Sequence, residues 1–399
     1  MTSSGNSDHH IVSMNKKTFL PYGRQSISDD DVQFVADALR SDWITRGSKV
    51  QEFEEAVAEY CGARYAVAFS SGTSALHAAA HAAKISPYDR VMTTPNTFVA
   101  SIGPSILKGA TPVFVDIDRD TGNLSLEQLK YTLEVPFTRG QQVVIPVHFG
   151  GIAVDMETLS KALVHPDSLV IEDAAHALGS SYPDGSKVGC CAYSAMTVFS
   201  FHPVKAITTG EGGMVTTNDF ECYQALKQYR NNGIVKPENY PQPWYYEVEE
   251  LTGNHHLTDF QAALGLSQLG RLDAFAEKRR VLVKRYRQQL KGLPYLSLFT
   301  DCADEDTCFH LMVVQIDFEA LGKTREGLVE ALEQKGIGTQ VHYIPIYRHP
   351  FFKKKIKDVS AYFPNMEAYY SRALSLPLFA EMEESDVDCV VSEIQRYLC

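Results

Sequence analysis

Apolar residues fall along this chain in short runs separated by longer amphipathic stretches. Seven runs stand out between residues 65 and 217: YAVAF, RVMTTP, TPVFVDI, VVIPVHF, SLVIED, AMTVFSF and GGMVTT. Each has the length of a strand, and most are followed by a segment of helical period. Ahead of them, DDDVQFVADALRSD repeats apolar positions at helical spacing behind three acidic residues. VQEFEEAVAEYCGA does the same and closes on Gly62. Short apolar strands alternating with helices predict a largely parallel sheet covered on both faces. Beyond about Gly265 the texture changes. LGRLDAFAEKRRVLVKRYRQQLKGL reads as a long charged helix, and FHLMVVQID, TREGLVEALEQKG and TQVHYIP continue as strand, helix and strand. The expectation is an α/β fold: a large unit over residues 15–265 with a seven-stranded, mostly parallel sheet, and a smaller α+β unit over residues 266–399. Residues 1–14 are polar and aperiodic and read as a disordered tail.

Composition narrows the function. With 399 residues, 44% of them apolar, the chain can bury a large core. Lys and Arg number 37 against 49 Asp and Glu, a net charge of −12 with no basic block. That argues against nucleic acid or an anionic membrane as the main partner. The eight cysteines show neither C-x-x-C nor Cys/His metal spacing, as expected of reduced thiols in a cytoplasmic protein without a metal site. No apolar run approaches the roughly 18 residues that a membrane span needs. The start lacks the apolar centre of a signal peptide.

Ligands of open α/β sheets bind beyond the carboxyl ends of the strands. After YAVAF comes SSGTSALHAAAHAAK, a glycine turn that opens an alanine-rich helix. It is either a phosphate seat or a helix plainly capped by Ser70 or Ser71. Neither a P-loop lysine nor G-x-G-x-x-G is present, which counts against ATP and dinucleotides. After RVMTTP, NTFVAS carries Phe98, which on its own reads as a core aromatic. After SLVIE comes Asp173, which on its own reads as a helix cap. Between AMTVFSF and GGMVTT sits Lys205, a solvated loop lysine or a covalent one. Together these positions offer a phosphate seat, a flat apolar face, an acid and an amine. Pyridoxal phosphate needs all four: its aldehyde condenses with an unprotonated lysine, and its ring nitrogen needs a carboxylate.

The segments SDWITRG, SSGTSALHAA, TTPNTFVAS, VIEDAAHALGS, FSFHPVKAITTGEGG, GNHHLTDFQAALGL and SRALSLPLF, in this order, resemble fold-type-I pyridoxal-phosphate enzymes of the DegT/StrS nucleotide-sugar aminotransferase family. The resemblance runs from about Phe19 to Leu398. It implies that Lys205 carries the cofactor and moves protons, and that Asp173 partners the ring nitrogen. His176 falls near the phenolic oxygen, and Phe98 stacks on the ring. Gly72, Thr73, Ser74 and Ser200 hold the phosphate, and Asn254 reaches it from the other subunit of a homodimer. Tyr22, Asp42, Trp43, Thr45, His342 and Tyr343 match segments that line the sugar-nucleotide pocket. The sequence departs from the family's G-x-N-x-R pattern, with His256 at the arginine position. His77, His81 and His148 read as residues of helices and loops without chemistry.

The implied reaction moves an amino group from L-glutamate to a nucleotide-linked 4-keto-6-deoxy sugar. VHYIPIYRHPFF is similar to the loop of enzymes acting on UDP-linked 4-keto-2-acetamido sugars, on the route to pseudaminic-acid-type glycans. Alternatives are a GDP- or dTDP-linked or 3-keto acceptor, and a cofactor-binding regulator without activity. A dehydratase of the lysine-less type and a desulfurase using Cys302 or Cys308 are two more. A regulator of this kind usually has a DNA-binding segment, which the chain does not display, and the dehydratase type replaces the lysine that is kept here.

Overall fold

The computed structural model describes residues 19–398 apart from 164, 166–167, 238, 240–241, 300–303 and 357. The N-terminal tail and Cys302 lie outside the described residues. The seven apolar runs form β1 (Tyr65–Phe69), β2 (Arg90–Thr93), β3 (Thr111–Phe114), β4 (Gln142–Ile145), β5 (Ser168–Asp173), β6 (Met196–Ser200) and β7 (Gly213–Thr217). They make one sheet in the order β1-β7-β6-β5-β4-β2-β3. Neighbours from β6 to β3 are parallel, whereas β7 runs antiparallel to both β6 and β1. The reversal has a cause in the connection. Parallel neighbours need a crossover, usually a helix, but β6 and β7 are joined by the helix-free residues 201–212. That returning loop carries Lys205.

Helices cover both faces of the sheet. On one side lies α2 (Ser48–Cys61), which buries Val50, Phe53 and Val57. On the other lies α3 (Gly72–Ala82), which buries Ala75, Ala78 and Ala79. Alanine side chains let this helix lie close to the sheet, bringing its N-terminus to the ends of β6 and β7. Helix α1 (Asp29–Arg40) begins with a capping box between Ser28 and Asp31 and packs on the helix Asp259–Leu269.

Successive strand residues point to opposite faces, and β5 uses this at its last two positions. Asp173 faces the cleft described below. Glu172 faces the core, fully buried, and accepts from Tyr182 Oη (2.5 Å), His148 Nε2 (2.8 Å), Thr197 Oγ1 (2.9 Å) and Ser194 Oγ. Val154 N–H donates to His148 Nδ1 (3.0 Å), which places the ring proton on Nε2 for Glu172. Burial alone would raise the Glu172 pKa, but these donors hold it below the ordinary carboxylate value. The network ties three strand ends together just behind the site.

A two-stranded ladder of β8 (Ile234–Val235) and β9 (Glu247–Val248) follows. Then comes an antiparallel sheet of β10 (Leu296–Leu298), β11 (Met312–Ile316) and β12 (Ala373–Leu376). Val314 and Leu374 pack there with Leu282 and Tyr286 of the helix Leu272–Leu290, Leu328 of the helix Arg325–Gln334 and Ile394 of the helix Glu384–Leu398. The expected strand in TQVHYIP is not formed. Only Gln340 pairs, in an isolated bridge to Ser375, and ALSL supplies the third strand instead. The segment has strand periodicity and meets the outer edge of β12 at Gln340, but His342 and Tyr343 then turn into the cleft, which ends the pairing. Among the described residues, no helix is long and apolar enough to cross a membrane.

Candidate active site

The carboxyl ends of the central strands open into a cleft of about 820 Å³. Tyr22, Gly72, Thr73, Phe98, Asp173, His176, Ser200, Lys205, His342 and Tyr343 all line it. Ten of the positions expected from sequence, spread over more than 300 residues, therefore meet in one place.

The start of α3 has the form of a phosphate seat. Ser71 Oγ caps the helix by accepting from Ser74 N–H (3.1 Å), so the plain capping role is real. It satisfies one of the four N–H groups that a helix start leaves unbonded; those of Gly72 and Thr73 remain for a ligand. The approach of strands to this turn demands glycine. A Cβ on Gly72 would lie 2.9 Å from Ser200 Cβ, and one on Gly213 would lie 2.4 Å from Ser71 O. Ser74 bonds to Ser70 and Ser71 at the same turn.

Asp173 is buried, and its carboxylate is held from two sides. Ser101 Oγ donates to Oδ2 (2.6 Å) and Ala175 N–H donates to Oδ1 (3.1 Å). Ser101 also contacts Thr97 Oγ1 (2.6 Å). Lys205 forms the floor. Burial lowers its pKa to about 8, against the pull of the Asp173 charge, which favours the ammonium. Its amine is thus far easier to deprotonate than a surface lysine. Phe98 is 59% exposed at the rim, not in the core.

Three histidines surround Lys205 without carrying charge. His176 is held well below the ordinary imidazole pKa by burial and by Lys205 and His342. His342 falls to about 3 through burial and Lys205. His310 is held low by burial and by His176 and Lys205. The His176 tautomer is fixed. Gly150 N–H donates to its Nδ1 (3.3 Å), so the proton sits on Nε2, which donates to Tyr343 Oη (3.0 Å). The Tyr343 hydroxyl accepts there and keeps its own proton free for the cleft. Burial raises its pKa, so that proton stays on. His342 bonds Ser375 Oγ through Nδ1 (2.9 Å) and packs against Tyr22 with ring centroids 5.5 Å apart. Tyr22 reaches this position because Leu20 pairs with Ile337 across the smaller sheet's loops.

Five expected residues are not among those lining this cleft: Ser74, whose hydroxyl bonds within its own turn, and four others. Asp42, Trp43 and Thr45 are exposed, Trp43 to 67%. Thr45 bridges to Thr258, and Asn254, also exposed, bridges to Asn231. These four share one outer face. Nothing in the sequence pointed to His310, which lines the cleft, or to Ser101, which lies outside the lining but bonds Asp173. His310 lies against His176 with ring centroids 4.2 Å apart, and Ser101 holds Asp173. Both stood in quoted segments, FHLMVVQID and NTFVAS, where strand and helix periodicity masked them. Cys308 is buried, its thiol pushed up by burial, and it lies outside the cleft lining, which disfavours a nucleophilic role.

The fold and cleft define a pyridoxal-phosphate enzyme, and residues 25–395 match the DegT/DnrJ/EryC1/StrS aminotransferase family. The chain belongs to that family, as a sugar aminotransferase dependent on pyridoxal phosphate. It is 39% identical over 384 residues to the spore coat polysaccharide biosynthesis protein SpsC of Bacillus subtilis, covering 94% of this chain and 96% of SpsC. Among solved structures it resembles Helicobacter pylori PseC, an aminotransferase involved in pseudaminic acid biosynthesis (TM-score 0.86, 28% identity, covering 96% and 99% of the two chains). It also resembles the pyridoxal-phosphate form of the putative sugar aminotransferase Spr1654 of Streptococcus pneumoniae (TM-score 0.84, 26% identity, covering 96% and 100%).

The residues present fit the cofactor: a depressed lysine, a buried carboxylate and a glycine-floored helix start converge on one cleft. Bound there, the group supplies an aldehyde for the amine and a ring that accepts electrons. The protein's part is then to hold charge and protons in place. Lys205 passes between ammonium and amine near neutral pH. The sign of its pKa predicts the pH dependence of cofactor uptake. Cofactor-free protein should bind pyridoxal phosphate about tenfold faster for each pH unit up to about 8, then level off. Stopped-flow absorbance checks this; a rise continuing to pH 10 would contradict a desolvated Lys205.

Proposed function

We propose that the protein transfers the amino group of L-glutamate to the keto carbon of a nucleotide-linked 4-keto-6-deoxy sugar, most specifically a UDP-4-keto-2-acetamido-2,6-dideoxyhexose. One observation carries the reading: Lys205 and Asp173 line a single cleft of about 820 Å³. Small-molecule sites run to roughly 300–1,000 Å³, so the cleft has room for a second substrate beside a cofactor ring. The likeness to PseC supports the acceptor class.

In this reading residues 15–265 form the cofactor-binding unit, and residues 266–399 form a smaller unit that contributes His310, His342 and Tyr343. Lys205 is the covalent and proton-transferring residue. Asp173 partners the ring nitrogen, Phe98 covers the ring, and His176 with Tyr343 faces its phenolic oxygen. Gly72, Thr73, Ser74 and Ser200 take the phosphate. Tyr22 and His342 face the acceptor sugar. Free, buried Cys61, Cys191 and Cys308 fit a reducing cytoplasm.

The exposed face bearing Asp42, Trp43, Thr45 and Asn254 belongs to a homodimer, where it completes the partner's cleft. Val32, Phe34 and Leu39 of α1 are also exposed, and pairing removes this apolar surface from water. Mixing Lys205→Ala with Asn254→Ala subunits should restore up to one intact site per heterodimer. No recovery under demonstrated subunit exchange would refute sharing.

The acceptor is tested by converting the enzyme to its amino form with L-glutamate and offering UDP-, GDP- and dTDP-linked 4-keto and 3-keto sugars. The aldehyde-form spectrum should return, with an aminated product by mass, for a UDP-linked 4-keto sugar. A response to 3-keto sugars alone would overturn the regiochemistry. A protein that binds cofactor but converts no keto substrate would be a regulator.

A further inference from the structure

A second cavity, of about 530 Å³, opens at the β1 edge of the large sheet, between α2 and the helix Phe220–Arg230. Its walls carry Arg46, Arg64, Lys227 and Arg230 against Glu54 and Glu55. Two positive charges are therefore left over, in a chain whose overall balance is −12.

The two carboxylates are already engaged. Glu54 pairs with Arg230 and accepts from Ala68 N–H (2.7 Å). Glu55 accepts from the Gln51 amide (2.7 Å). Among the described residues, neither Arg64 nor Lys227 has a carboxylate partner; Lys227 rests over the Tyr223 ring, 5.1 Å from its centroid. Arg230 uses Nη1 on Glu54 and on Ala68 O (3.2 Å), while its Nε is buried without a partner. Arg46 Nη2 and His256 Nε2 both reach Asn231 Oδ1, at 2.9 and 3.1 Å. Burial, then Arg230 and Arg46, pulls the His256 pKa to about 4, so that ring adds no charge at neutral pH.

Gathering like charges around one hollow raises the free energy unless an opposite charge enters. An acidic chain has carboxylates to spare, yet among the described residues none pairs with Arg64 or Lys227, and Glu54 in the same wall is taken by Arg230. A phosphoryl group at pH 7 carries about −1.5 to −2, which matches the surplus. Guanidinium forks bind its oxygens in pairs. We propose that this cavity is a binding site for a phosphoryl dianion, with Arg64, Lys227 and Arg230 as its ligands.

The test uses cofactor-loaded protein, so that the phosphate seat at α3 is filled, at constant ionic strength set with chloride. Calorimetric titration with inorganic phosphate, pyrophosphate and glucose 1-phosphate should give one equivalent bound per chain for at least one of them. Arg64→Ala and Lys227→Ala should each weaken that binding at least tenfold while amino transfer persists, which shows the variants are folded. Arg64→Gln, a milder change, should weaken it too. Tighter binding of glucose 1-phosphate would point to a sugar-borne group, and tighter pyrophosphate to a free one. No heat at millimolar anion, or equal affinity in the wild type and all variants, would overturn the site.

Discussion

Lys205→Ala protein is expected to lose amino transfer by about 10⁴-fold or more while remaining folded. Two arguments make this the largest effect. Among the described residues lining the cleft, Lys205 supplies the one amine, and its pKa of about 8 lets it exist unprotonated near neutral pH. The neighbouring His176, His310 and His342 are neutral but too weakly basic to take over a proton at that pH. Folding should survive, because Lys205 holds its loop through its backbone. Its N–H donates to His202 O, and its carbonyl accepts from Arg279 Nη2 (3.4 Å). Borohydride treatment of cofactor-loaded wild-type protein should leave a pyridoxyl group on the peptide containing Lys205. Recovery of the label on another lysine would remove Lys205 from its role.

Asp173→Ala should lower kcat by about 10²–10³-fold, the 3–4 kcal/mol typical of a buried charge partner that is lost. The substitution also removes the acceptor of Ala175 N–H and leaves Ser101 Oγ only Thr97 Oγ1 and Phe98 O. Asp173→Asn separates the two effects, because it keeps an acceptor while removing the charge. The charge has a second reporter. Asp173 raises the Lys205 pKa, so in Asp173→Asn the pH profile of cofactor uptake should move below about 8. A profile left in place, with activity intact, would show that Asp173 does not act on this site.

Much of the architecture was legible in the sequence because it is local. Each apolar run became a strand of the large sheet, and the turn residues of SSGTSALHAA give a capped helix start on their own. The position of Lys205 and Asp173 at strand ends follows from the same alternation, since open α/β sheets place their sites there. TQVHYIP shows the limit of that logic. Its periodicity is that of a strand, but it pairs with the outer edge of β12 at Gln340 alone, because His342 and Tyr343 turn away into the cleft.

What the sequence determined alone was the order of elements in the large sheet, the placing of Lys205 and Asp173 at its strand ends, and the family. What only the tertiary structure decided was which distant side chains touch. His176 depends on Gly150, Tyr343 and His310, residues up to 167 positions away from it. Ser101 holds Asp173 from 72 positions away, and Tyr22 meets His342 through the pairing of Leu20 with Ile337. Asp42, Trp43, Thr45 and Asn254 turn away from the cleft of their own chain for the same kind of reason. Side-chain periodicity is set by the backbone within a few residues, whereas proximity across the chain is set by sheet order, loop closure and packing, which no short segment contains.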